Sequence, residues 1–87
     1  VYFVTLVKFR KKLTQEDFKA FDDAEKEFSK QGLKVLQDFY TLGRYDNVIV
    51  LEAPNEKVVA SFFMKLSNIA QTETLVALPK AEGRKLI

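Results

Sequence analysis

Histidine and cysteine are both absent from these 87 residues. Their absence removes thiolate chemistry, Cys/His zinc sites, histidine-ligated haem and any Ser-His or Cys-His nucleophile. Binding or acid–base chemistry then falls to Asp, Glu, Lys, Arg, Tyr, Ser and Thr. The densest such group is Gly43-Arg44-Tyr45-Asp46. There Asp46 offers a general base or ligand acceptor, Tyr45 a hydrogen-bond donor, and Arg44 a clamp for an anion. A tight turn alone explains Gly43, through its access to positive φ, and Asp46, through bonds to nearby backbone N–H groups. Tyr45 is the member a turn explains least, and it is therefore the first functional candidate; packing at a subunit seam is its structural alternative.

Tyr2, Thr5, Tyr40, Glu52 and Glu73 are further candidates to line a cleft between sheet and helices, or between subunits. Glu52 and Glu73 interrupt otherwise apolar strand sequences. Turned inward, either needs a partner or a perturbed pKa; on the solvent side of an edge strand it needs neither. Asp22 and Asp23 read as a solvated helix face, since no other ligands cluster with them for a metal. Three scattered glycines make no phosphate-cradling loop. No cofactor or metal is called for. The eight Phe fall on helix and strand stripes and read as core, and the aromatic-basic pattern of an RNA-stacking strand is missing.

Net charge +2 raises the question of nucleic acid. Three of the 14 basic groups and one of the 12 acidic groups lie in the last eight residues, so residues 1–79 balance at 11 of each. The surplus belongs to the end of the chain, and a nucleic-acid partner is not expected. No apolar run approaches the length of a membrane span and no signal-peptide pattern is present, so no membrane partner is expected. The cysteine-free composition fits a cytoplasmic location.

The elements that position these groups follow a β-α-β-β-α-β order. Tyr2–Phe9 alternates as a strand, with Tyr2, Val4 and Leu6 on one face and Phe3, Thr5, Val7 and Phe9 on the other. Thr14 and Asp17 have capping-box spacing, and Phe18, Phe21, Ala24 and Phe28 make a helical stripe that Gly32 stops. Strands are expected at 33–42, 47–53 and 72–78. Asn55 caps a second helix whose stripe runs Val59, Phe62, Phe63, Leu66, Ile69, Ala70. This is an α+β, ferredoxin-like split-βαβ domain over residues 1–79, followed by a basic tail, 80–87. Its four-stranded antiparallel sheet is expected to carry both helices on one face. The other face should then be polar, yet Val48-Ile49-Val50-Leu51 is apolar on both sides. A second copy is the simplest cover, making a two-fold homodimer, a dimeric α/β barrel. Length agrees: a 10.0 kDa chain buries only about 64% of its unfolded surface on folding.

Several segments together resemble the GYD-domain family. They are Tyr2-Phe3-Val4-Thr5-Leu6-Val7-Lys8-Phe9, Thr41-Leu42-Gly43-Arg44-Tyr45-Asp46, Glu52-Ala53-Pro54 and Thr72-Glu73-Thr74-Leu75. The resemblance implies a ferredoxin-like protomer of the dimeric α/β-barrel superfamily and no established reaction. Arg10-Lys11-Lys12 is more basic than the family pattern. The chain is also similar, more faintly, to the effector-binding domains of leucine-responsive (Lrp/AsnC-type) regulators, which implies a stand-alone amino-acid-sensing module.

Three functions follow. One is a small-molecule-binding or regulatory module with its ligand near Tyr45 and Asp46 at the dimer interface. Another is a cofactor-independent enzyme, monooxygenase- or isomerase-like, acting on a small hydrophobic compound; it requires a carboxylate of raised pKa inside a cavity. The third is an assembly protein without ligand chemistry.

Overall fold

Alternating apolar residues in Tyr2–Phe9 build β1, whose Phe3, Thr5 and Val7 are buried. The computed structural model describes residues Val1–Ile87. After β1 come α1 (Gln15–Ser29), β2 (Lys34–Tyr40), β3 (Asn47–Glu52), α2 (Glu56–Lys65), β4 (Ala70–Ala77) and a short α3 (Lys80–Arg84). The strands form one antiparallel sheet in the order β2-β3-β1-β4, the split-βαβ arrangement.

The start of α1 is held by a complete capping box. Thr14 Oγ1 accepts the Asp17 amide at 3.3 Å, and Asp17 Oδ2 accepts the Thr14 amide at 2.9 Å. Lys11 reaches the same carboxylate at 3.1 Å. Beyond α1 the chain turns at Gly32, with φ 92°. Asn55 caps α2 by accepting the Lys57 and Val58 amides.

Phe3, Val7, Ile49 and Leu51 of the sheet pack with Ala24 and Phe28 of α1 and Val59, Phe62 and Phe63 of α2 in a single core. The hydroxyl of Thr5 sits inside this face, hydrogen-bonded to that of Thr74 at 2.8 Å, so its burial leaves no polar atom unpaired.

Several boundaries depart from expectation. The stripe Leu66-Ile69-Ala70 is not helical throughout: α2 ends at Lys65, and tight turns (Ser67 N to Met64 O, Ile69 N to Leu66 O) lead into β4 at Ala70. Ile69 and Ala70 are buried all the same, because helix end and strand start face the same core and their apolar spacing mimics one period. Strand β2 stops at Tyr40, leaving Leu42 fully exposed in the hairpin loop. Strand β4 stops at Ala77, one residue short of Leu78. Residues 80–87 include α3, which buries no side chain.

On the other sheet face, register brings Val4 opposite Val50 and Leu75, Leu6 opposite Val48 and Glu73, and Tyr2 opposite Glu52 and Ala77. Phe39 joins Val48 from β2. This apolar face has no covering element. The molecule is a slab of 43 × 33 × 17 Å. Its 6311 Å² of surface exceeds the roughly 5,200 Å² typical of a folded monomer of this mass.

Candidate functional site

The loop from β2 to β3 is stitched by four hydrogen bonds. Thr41 donates through its amide to Asp46 O at 2.9 Å and through its hydroxyl to Tyr45 O at 2.7 Å. The Asp46 amide donates to Val7 O at 2.8 Å, and Asp46 Oδ2 accepts the Phe9 amide at 2.8 Å. Gly43 takes φ 109°, with open space beyond its Cα. The Asp46 carboxylate therefore binds the hairpin to the end of β1, and one of its oxygens is committed to backbone.

From this base Tyr45 reaches across β1 toward β4. Its hydroxyl donates to Glu73 Oε2 on β4 at 3.0 Å. The Arg44 guanidinium lies 5.9 Å from the Tyr45 ring centroid, and Lys8 Nζ donates to Arg44 O at 3.3 Å. Leu6, Lys8, Arg44, Tyr45, Gln71 and Glu73 thus surround a groove of about 340 Å³ at the rim of the uncovered sheet face. The hydrogen bond to Glu73, then the charge of that carboxylate, hold the Tyr45 phenol above its ordinary pKa, with Arg44 opposing. Two cations beside a carboxylate and a phenol can hold both ends of a small zwitterion.

Other candidates lie elsewhere. Tyr40 is on the helix face, opposite Asn47, with its ring edge-on to Phe9 at 6.4 Å between centroids. Glu52 and Tyr2 pair at the far end of the sheet, about 17 Å from the hairpin for five residues of strand. Thr5 is sealed in the core. Sequence reasoning missed Lys8 as a groove residue; its signal was the β1 alternation, which carries Tyr2-Val4-Leu6 one position further onto the open face.

The carboxylate whose pKa is raised is Glu25 of α1, through partial burial and then the charges of Asp22 and Asp38. It borders a cleft of about 90 Å³ between α1 and β2 that shares no residue with the hairpin groove. No group of three or more Asp or Glu side chains is placed to hold a metal ion, and no helix is long and apolar enough to cross a membrane.

No curated protein matches the chain in sequence. Solved structures of similar fold include a transcriptional regulator of Neisseria meningitidis in complex with L-Met (TM-score 0.61, 14% identity). The match covers 91% of this chain and 50% of the regulator. E. coli AsnC is similar at TM-score 0.55 and 18% identity, over 91% of this chain and 51% of AsnC. This chain thus spans about half the length of the regulators it matches. A protein of Thermus thermophilus is similar over nearly its whole length, with 90% and 92% of the two chains covered, TM-score 0.53 and 18% identity. At these identities the likeness is one of fold. In sequence, the GYD domain profile matches residues 3–87, and the chain belongs to the GYD domain family.

Proposed function

We propose that this protein is a homodimeric, cytoplasmic regulatory module that binds a small zwitterionic molecule, of amino-acid type, in the hairpin groove. The carrying observation is that Tyr45, Glu73, Lys8 and Arg44 meet at the rim of an apolar, uncovered sheet face. A second copy laid on that face by two-fold symmetry buries Val4, Leu6, Val50 and Leu75, forms a dimeric α/β barrel and closes the groove from above. The excess surface of the isolated chain supports such a partner. Within the groove, Arg44 and Lys8 face a carboxylate and Glu73 an ammonium group. The L-Met bound to the neisserial regulator of similar fold supports the ligand class.

Thermal denaturation against the L-amino acids and their carboxamides tests the reading. A true ligand at about 100 times its Kd adds about 2.7 kcal/mol, a shift of several degrees. Arg44→Ala and Glu73→Gln should each remove that shift, and the carboxamide should give less of it. A panel that leaves the melting curve unmoved defeats the proposal.

A further inference from the structure

We infer that the groove between α2 and β4, on the helix side of the sheet, is a second binding site, built for an apolar carboxylate. Strand β4 is an edge strand, and α2 does not extend over it. The space left between them is about 490 Å³, within the roughly 300–1,000 Å³ of ordinary ligand clefts. Phe3, Val59 and Phe63 make its floor, and all three are buried. Met64 on one wall and Val76 on the other are 74% and 66% exposed, so apolar surface faces water along both sides.

One end of the groove carries a fixed cation. The Arg10 amide donates to Ile69 O at 2.8 Å, and Arg10 Nε donates to Ser67 O at 2.8 Å. These bonds orient the guanidinium at the C-terminal end of α2 and leave its two terminal nitrogens uncommitted. The ion pairs of the chain are Lys11–Asp17, Lys19–Asp23 and Lys65–Glu27, so Arg10 has no carboxylate of its own. A planar, held fork of donors is suited to a carboxylate. Glu56 lies at the opposite end, about 15 Å away along the ten residues of α2, and repels an anion there. Charge therefore sets the polarity: the head group sits on Arg10 and the apolar tail lies over Phe63 and Val59. This site lies on the opposite side of the sheet from the hairpin groove, the two meeting only at Gln71 and Thr72 of β4, and it stays open when a second copy covers the opposite sheet face.

Octanoate, octanol and octylamine, titrated below their micellar range into isotopically labelled protein, test it by NMR. Saturable shifts from octanoate should centre on Phe63, Met64 and Val76, with octanol weaker and octylamine weakest. Arg10→Gln should weaken octanoate about tenfold or more, the worth of a charge-assisted hydrogen bond, and leave octanol binding unchanged, which also reports that the variant is folded. Ala60→Trp should block all binding at these residues. Octanoate shifts centred on Val4 and Val50, no saturable response, or equal octanoate affinity in Arg10→Gln would each overturn the inference. None of these outcomes depends on the amino-acid response of the hairpin.

Discussion

Asp46 grips the end of β1 from two sides, its carboxylate accepting the Phe9 amide and its amide donating to Val7 O, each at 2.8 Å. Asp46→Ala should therefore destabilise the protein by about 1–3 kcal/mol, because it strands a partly buried amide. Asp46→Asn retains a carbonyl acceptor and should cost less than half as much. Urea denaturation measures both. Equal losses from the two variants would mean that charge, and not the bond to Phe9, holds the hairpin.

The Tyr45 phenol is raised above its usual 10.0 by the Glu73 hydrogen bond and charge. A raised folded-state pKa stabilises the protein while the group is protonated. That contribution is complete below about pH 10 and is lost as pH climbs through the shifted value. Alkaline titration should thus destabilise the parent more steeply than Tyr45→Phe or Glu73→Gln, and the phenolate absorbance of the parent should show a late-titrating component that Tyr45→Phe removes. Superimposable alkaline profiles would remove the pair as a linked unit.

Asp17 shows the opposite sign. The Thr14 amide and then Lys11 hold its carboxyl below the usual 3.8. Its contribution is present above that value and disappears as pH falls through the lowered one. In Asp17→Asn, acid-induced loss of helix, followed by circular dichroism, should begin from a less stable neutral state and be shallower. An unchanged acid limb would contradict this account of the cap.

Two glycines separate backbone strain from crowding. Gly43→Ala meets no neighbour but must hold φ 109°, at a cost of about 1–2 kcal/mol. Gly32→Ala must hold φ 92° and also brings a Cβ to 2.8 Å from Pro54 Cγ, so it should cost more, up to about 3 kcal/mol. Reversal of that order in urea would point to relaxation of Pro54.

Val50 lies mid-sheet on the uncovered face, opposite Val4. Light scattering of the parent should give twice the 10.0 kDa chain mass. Val50→Lys should halve it, because a buried lysine without a partner is costly at an interface. A parent that runs at single-chain mass removes the dimer.

Much of this architecture was legible in local chemistry. Thr14 and Asp17 declare the start of α1 through spacing alone, as Asn55 does for α2, and the unbroken run Val48–Leu51 declares a sheet with two apolar faces. Leu66-Ile69-Ala70 misled because the 3.6-residue period continues through a turn whose two sides face one core. The groove was legible only in parts. Tyr45 and Glu73 each stood out as unexplained by turn or strand, but nothing local pairs residues 28 apart. Only the order β2-β3-β1-β4, with β1 between them, brings the hairpin within reach of β4. Arg10 was hidden among Lys11 and Lys12 and is distinguished by its bonds to Ser67 and Ile69.

The register of β2 against β3 slips between Val35 and Gln37, which puts a bulge in one of the sheet's two edges. Endless strand-by-strand stacking of copies requires both edges to be regular, and here only β4 is. An edge interrupted in this way is a poor template for a further strand. It leaves face-to-face association, which stops at a finite number of copies, as the open route to assembly.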